Sequence, residues 1–190
     1  MSSATAPTVS SQALSLQQHK AALWADSRLH VIAVMMGSRV PDLVTMLAAA
    51  DVADFDCLLP GALPIDTQRT APYLVWLKQQ SAFTDWLLFE AAAGMGEWGV
   101  LVRSASKMLA LRGHLRSLLR AQTPLGQTVE LDWMDPTILK ALLPLFEPAA
   151  LAGFMGPMES VVIPEIAAWT TARVVLGKLE LRIVPVAKSG

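Results

Sequence analysis

The sequence predicts an α/β protein, a mixed β-sheet with flanking helices in a single main domain, and three observations carry that expectation. Short apolar, β-branched runs alternate with stretches whose apolar residues recur at helical spacing, as in layered α/β folds. Two of the apolar runs, near Phe55 and Tyr73, stand close together in the chain, which points to some antiparallel pairing. At 190 residues the chain stays below the size at which one core divides into several.

Residues 1–12 are mostly Ser, Thr, Ala and Pro and read as a loose tail, too small and polar to offset chain entropy by burial. A short helix is expected over residues 13–25. Residues 30–36 form an apolar, β-branched run ending at Gly37, the mark of a buried strand. Pro41 suits a first helical position, and Leu43, Met46, Leu47 and Ala50 follow at i, i+3, i+4, i+7. Residues 55–59 make a brief strand stopped by Pro60-Gly61, and residues 73–77 make another entered through Pro72, with a loop expected between them. Ser81 can cap a helix carrying Phe83, Trp86, Leu87 and Glu90 that closes at Gly94. Residues 98–102 read as a strand.

Ser104 or Ser106 opens the clearest helix, with an apolar stripe of Met108, Leu111, Leu115, Leu118 and Leu119, ended by Pro124-Leu125-Gly126. Residues 129–133 read as a strand. Asp135-Pro136 is a strong start signal, a carboxylate cap followed by a Pro whose missing N–H costs nothing there. The helix through Leu139, Leu142 and Leu143 is divided by Pro144 and Pro148 from a shorter piece reaching Phe154, and Gly156-Pro157 forces a turn. Leu179, Leu181 and Ile183 alternate with Lys178, Glu180 and Arg182, the period of a half-exposed strand at a sheet edge. The expected organisation is a tail (1–12), a principal domain (13–164) and a short C-terminal extension completing the sheet edge (165–190).

Fifteen basic residues against sixteen acidic leave a formal net charge of -1, which offers no field for steering to nucleic acid. Hydrophobic residues make up 53% and charged residues 16%, against about 45–50% and about 25% in ordinary soluble domains. The excess fills an apolar core or remains on a surface that a partner covers. Glu90, Glu97 and Arg103 interrupt the longest apolar region, so no membrane span is expected. Residues 1–15 carry no Lys or Arg, unlike a secretory signal. The single Cys57 suits a reducing compartment, and the cytoplasm is the expected location.

The motifs for chemistry are weak. Gly94-Met-Gly-Glu-Trp-Gly99 fits the dinucleotide pattern GxGxxG, but it follows a helix and precedes a strand, the reverse of the required context. His19, His30 and His114 are dispersed and show no metal-ligand spacing. Cys57 sits in an apolar strand where burial would raise its pKa. Asp135 is explained as a cap, and Asp132 is expected to be exposed. Neither a GxSxG elbow nor a P-loop occurs, so no catalytic, metal-binding or cofactor-binding residue is assigned. Arg112, Arg116 and Arg120 fall on one helix row at i, i+4 spacing, either as a solvated face or as a docking strip for an acidic partner. Of the six tryptophans most are expected in the core, with Trp169, after Pro164, as an exposed interface anchor.

The order of several short segments resembles one family. These are His30-Val-Ile-Ala-Val-Met-Met-Gly-Ser-Arg39, Ala71-Pro-Tyr-Leu-Val75, Phe83-Thr-Asp-Trp86, Trp98-Gly-Val-Leu-Val-Arg-Ser104, His114-Leu-Arg116, Asp135-Pro136, Leu139 and Phe154-Met-Gly-Pro157. Over residues 22–164 they are similar to the type VI secretion effector adaptors, catalogued as domain of unknown function four-one-two-three. Many members carry an Asp before the glycine closing the first strand, where this chain has Met36 before Gly37, and members often have a longer C-terminal lobe. The resemblance implies a cytoplasmic, non-catalytic chaperone that binds one effector and helps mount it on the VgrG spike, sometimes through a PAAR tip. For its contacts, Arg112, Arg116 and Arg120 are expected to be polar positions and Phe154, Met155, Met158 and Trp169 apolar ones, the latter otherwise explained as packing. The alternatives are an immunity-like inhibitor or structural subunit binding the same effector, or a small α/β enzyme.

Overall fold

The computed structural model describes residues 7–122 and 125–187. Its main sheet contains strands β1 (Thr8–Val9), β2 (His30–Met36), β3 (Asp54–Cys57), β4 (Pro72–Trp76) and β5 (Gly99–Ser104), while β6 (Arg120–Gln122) and β7 (Thr128–Glu130) form a separate hairpin. Strands β8 (Ser160–Pro164), β9 (Ala168–Val175) and β10 (Lys178–Pro185) complete the main sheet. The helices are α1 (Leu16–Leu23), α2 (Leu43–Ala49), α3 (Ile65–Thr70), α4 (Ala82–Trp86), α5 (Ala92–Met95), α6 (Met108–Ser117), α7 (Pro136–Leu142) and α8 (Pro148–Met155). A wider π-helical turn, Leu87–Ala91, joins α4 to α5.

The main sheet has the order β1-β10-β9-β8-β5-β2-β4-β3. Its pairings are antiparallel except that of β1 with β10, so the sheet is mixed, as the sequence indicated. Because side chains alternate across a strand, β2 feeds both faces. Ile32, Val34 and Met36 join a core with α6, α7 and α8, while Val31, Ala33 and Met35 join a second core with α1, α2 and α4. Burial on both faces explains why β2 reads as a continuous apolar run. Gly99 opens β5 at φ 148, where a Cβ would collide with the Val34 carbonyl of the neighbouring strand, so only glycine permits this approach.

Several local expectations are corrected. The stretch between β3 and β4 contains α3, a polar helix with no buried residue that carries no apolar stripe to announce it. Helix α2 begins at Leu43, not Pro41, after Asp42 takes a left-handed turn at φ 53. Ser81 occupies the cap position of α4 without a side-chain cap bond, and the helical run passes Gly94 to end at Met95. Neither candidate serine opens α6, which starts at Met108 after Lys107. Ser104 Oγ instead donates to the Pro157 carbonyl at 2.7 Å and accepts from Ser106 N–H at 3.1 Å.

Strand β7 is shorter than expected, and Trp133 lies in the turn after it, fully buried. Asp135 caps α7 as predicted, accepting from the N–H groups of Thr137 (2.9 Å) and Ile138 (3.1 Å). Strand β10 is not an edge, since Thr8 and Val9 of β1 pair with Arg182 and Ile183. The expected tail therefore contributes a short strand, and its first six residues lie outside the described part, as do residues 188–190 of the C-terminal extension. Among the described residues no helix is long and apolar enough to cross a membrane.

Candidate partner-binding site

Helix α6 carries two of the three arginines singled out in the sequence, and both reach back to the open edge of the sheet at β3. Arg112 pairs with Asp56 of β3, both side chains partly buried. Arg116 donates from Nε to the Leu58 carbonyl at 2.7 Å and from a terminal nitrogen to those of Cys57 (3.0 Å) and Leu59 (3.3 Å). Its fork thus satisfies backbone acceptors that an edge strand would leave to water or to another chain. Arg120 lies beyond the helix, exposed in β6 opposite Glu130. The expected stripe is thus not one face: two of its members are held by intramolecular bonds and only Arg120 points to solvent.

The four apolar positions are core residues. Phe154, Met155 and Met158 are each 4% exposed, and Phe154 meets Trp133 edge-on with ring centroids 5.8 Å apart. Trp169 is also 4% exposed, in β9, with its ring 4.7 Å from that of His19. The expectation of an exposed anchor is corrected: Pro164 does not end the sheet, because β8 and β9 form a hairpin that folds Trp169 under α1. Trp76, Trp98 and Trp133 are buried too.

A polar cleft of about 230 Å³ lies where α1 crosses β8, β9 and β10. Cross-strand register builds one wall. Arg103 of β5 stands opposite Ser160 of β8, and Arg173 of β9 stands opposite Glu180 of β10. Arg182 lies opposite Thr171 in the adjoining row. His19, Leu23, Val162, Trp169 and Val184 also line it. Arg173 and Glu180 form a two-pronged ion pair (3.1 and 3.0 Å). Arg103 Nε and Ser160 Oγ, both buried, have no hydrogen-bond partner. Burial lowers the His19 pKa below its ordinary 6.5, although its contact with the Pro185 carbonyl opposes the shift.

Little in the sequence announces this cleft. The available signals were Arg103 within an otherwise apolar strand and the alternating charges of β10, but its members come from four strands and a helix, and only their pairing joins them.

Other chemistry-bearing groups are used structurally. Burial pushes the Cys57 thiol up, against the pull of the Leu59 backbone and of Arg116, and likewise raises the pKa of the Tyr73 hydroxyl beside it. Asp132 is exposed, whereas Asp135 is buried in its cap and lies 3.4 Å from Arg39. The Gly94–Gly99 motif runs from α5 into β5, with no helix following it. Among the described residues no three His, Cys, Asp or Glu side chains converge as metal ligands.

The family described as Domain of unknown function (DUF4123) matches residues 31–152, well over half of the chain. This span begins in β2 and ends within α8, so it includes one half of the main sheet and the helices that cover both of its faces. No curated protein and no solved structure matches the chain.

Proposed function

The chain belongs to the DUF4123 family, known as type VI secretion effector adaptors, and from that premise we propose that it is a non-catalytic adaptor-chaperone working in the cytoplasm. It binds one effector and promotes its loading onto the VgrG spike before export, with a PAAR tip as a further contact. The family match across the centre of the sheet carries this reading.

The physical features agree with it. The family is associated with adaptors rather than with catalysis, and the Cys, Asp and Arg groups that could do chemistry serve as core thiol, helix cap and edge clamp. Exposed groups are available for partner contact, among them Arg120, Leu109 (71% exposed) and Leu145 (76% exposed), which supply the charged and apolar character that protein interfaces combine.

Deleting the gene tests the reading. One effector should remain inside the cell while the apparatus continues to export others, and complementation should restore it. An inhibitor of the same effector would behave differently, because its loss would poison the producing cell.

A further inference from the structure

The cleft between α1 and the C-terminal strands contains a desolvated guanidinium N–H and a serine hydroxyl, 2% exposed as a residue, which stand opposite each other on adjacent strands without partners. Buried polar groups in native proteins are nearly always hydrogen-bonded, so two neighbouring donors that the protein itself leaves unpaired, lining one cavity, are free to bond a ligand that enters it. We propose that this cleft receives a single carboxylate from a protein partner, held by Arg103, Arg182 and Ser160. That the carboxylate belongs to a protein rests on the adaptor reading; the site itself does not.

Charge selects the ligand. Four arginines (28, 103, 173 and 182) lie in or beside the cleft, with three carboxylates among them (Asp26, Glu159 and Glu180). Asp26 is bound by Arg28 at 2.7 and 3.0 Å, and Glu180 by Arg173. Glu159 stands exposed at the rim and acts on Arg28 and Arg173. One positive charge is left over, which matches a monoanion. A doubly charged phosphate would face repulsion from the three resident acids. The guanidinium fork suits a planar carboxylate in particular.

Size and lining select its owner. The cleft's 230 Å³ falls below the about 300–1,000 Å³ of sites for drug-sized ligands and is enough for one acidic side chain or chain end. Trp169, Leu23 and Val184 offer an apolar wall for the aliphatic part of such a residue. Of the cleft's lining residues only Arg103 falls within the segment 31–152, so the site is built mainly by the part of the chain outside the family match.

The test is a titration of the isotopically labelled full chain followed by NMR. The probes are an N-acetylated, C-amidated Ala-Glu-Ala tripeptide, its Gln counterpart, an N-acetylated Ala-Ala-Ala with a free terminus, glutarate and inorganic phosphate. The Glu peptide or the free terminus should give saturable shifts at Ser160, Thr171 and the Trp169 indole, and the tighter of the two names the source. The Gln peptide should give none. Arg103→Gln combined with Arg182→Gln should weaken binding at least tenfold, and Arg182→Gln alone, at an exposed position, several-fold in a fold that remains intact. The proposal is overturned if neither peptide perturbs the cleft, if phosphate binds as tightly, or if glutarate binds ten times more tightly than both peptides. Effector capture by the double variant separates the two readings. Undiminished capture rejects the cleft as a partner site and leaves the adaptor standing, whereas a wild-type chain that captures nothing rejects the adaptor while the titration still decides whether the cleft binds carboxylates.

Discussion

Arg116 donates a 2.7 Å hydrogen bond from Nε to the Leu58 carbonyl, joining α6 to the chain just beyond the edge strand β3. Its terminal nitrogen adds the carbonyls of Cys57 and Leu59. Arg116→Leu keeps the aliphatic bulk and strands three acceptors, so it should lower stability by about 1–3 kcal/mol. Lys, a single point donor, should recover only part of this. The urea midpoint of the variants checks both statements, and an unchanged midpoint in the Leu variant would show the clamp to be idle.

Gly156 follows α8 at φ 46, and a Cβ there would run into the His114 ring. That ring is bonded through Nε2 to the Phe154 carbonyl at 2.9 Å. Gly156→Ala should therefore destabilise through both backbone strain and displacement of His114. In a double-mutant cycle with His114→Ala the two losses should be clearly less than additive, since removing the ring makes room for the new methyl. Simple additivity in thermal unfolding would contradict the contact.

His19 is 5% exposed against Trp169, and burial holds its pKa below 6.5. The unfolded chain then binds the proton first as pH falls. The stability this neutral histidine contributes is complete above pH 6.5 and is lost as pH drops below 6.5 toward its folded pKa. Melting temperature should fall over this window in the wild type and fall less in His19→Gln. Parallel curves for the two would refute the assignment.

The β9–β10 hairpin turns through Leu176 and Gly177, both at positive φ (51 and 74). Such two-residue turns favour Asn-Gly, and Leu176 at 97% exposure gains nothing from packing. Leu176→Asn should raise stability by about 1 kcal/mol, the lower end of the roughly 1–2 kcal/mol left-handed penalty for an L-residue. A lower melting temperature would show that Leu176 contributes something the turn geometry does not reveal.

The elements legible in the sequence were those whose local chemistry is decisive. β2 announces itself as seven consecutive residues bounded by Gly37, and α7 by Asp135-Pro136. The segment Ser160–Pro164 went unread although Val161, Val162 and Ile163 are β-branched, because a strand buried on both faces lacks alternation and this one ends in Pro. Without β8 there was no hairpin to carry Trp169 inward, so its burial could not be foreseen. Arg112 and Arg116 were correctly placed on one helix, but spacing along a helix says nothing about which strand lies under it. The cleft was illegible for the same reason, since Arg103 and Ser160 are neighbours only through strand register.

A non-catalytic adaptor of the kind proposed must join two other macromolecules. Size-exclusion chromatography with light scattering of the purified effector and VgrG, with and without the chain, measures this bridging. Effector and spike should co-elute only when the chain is present. Equal association in its absence would rule out the adaptor role.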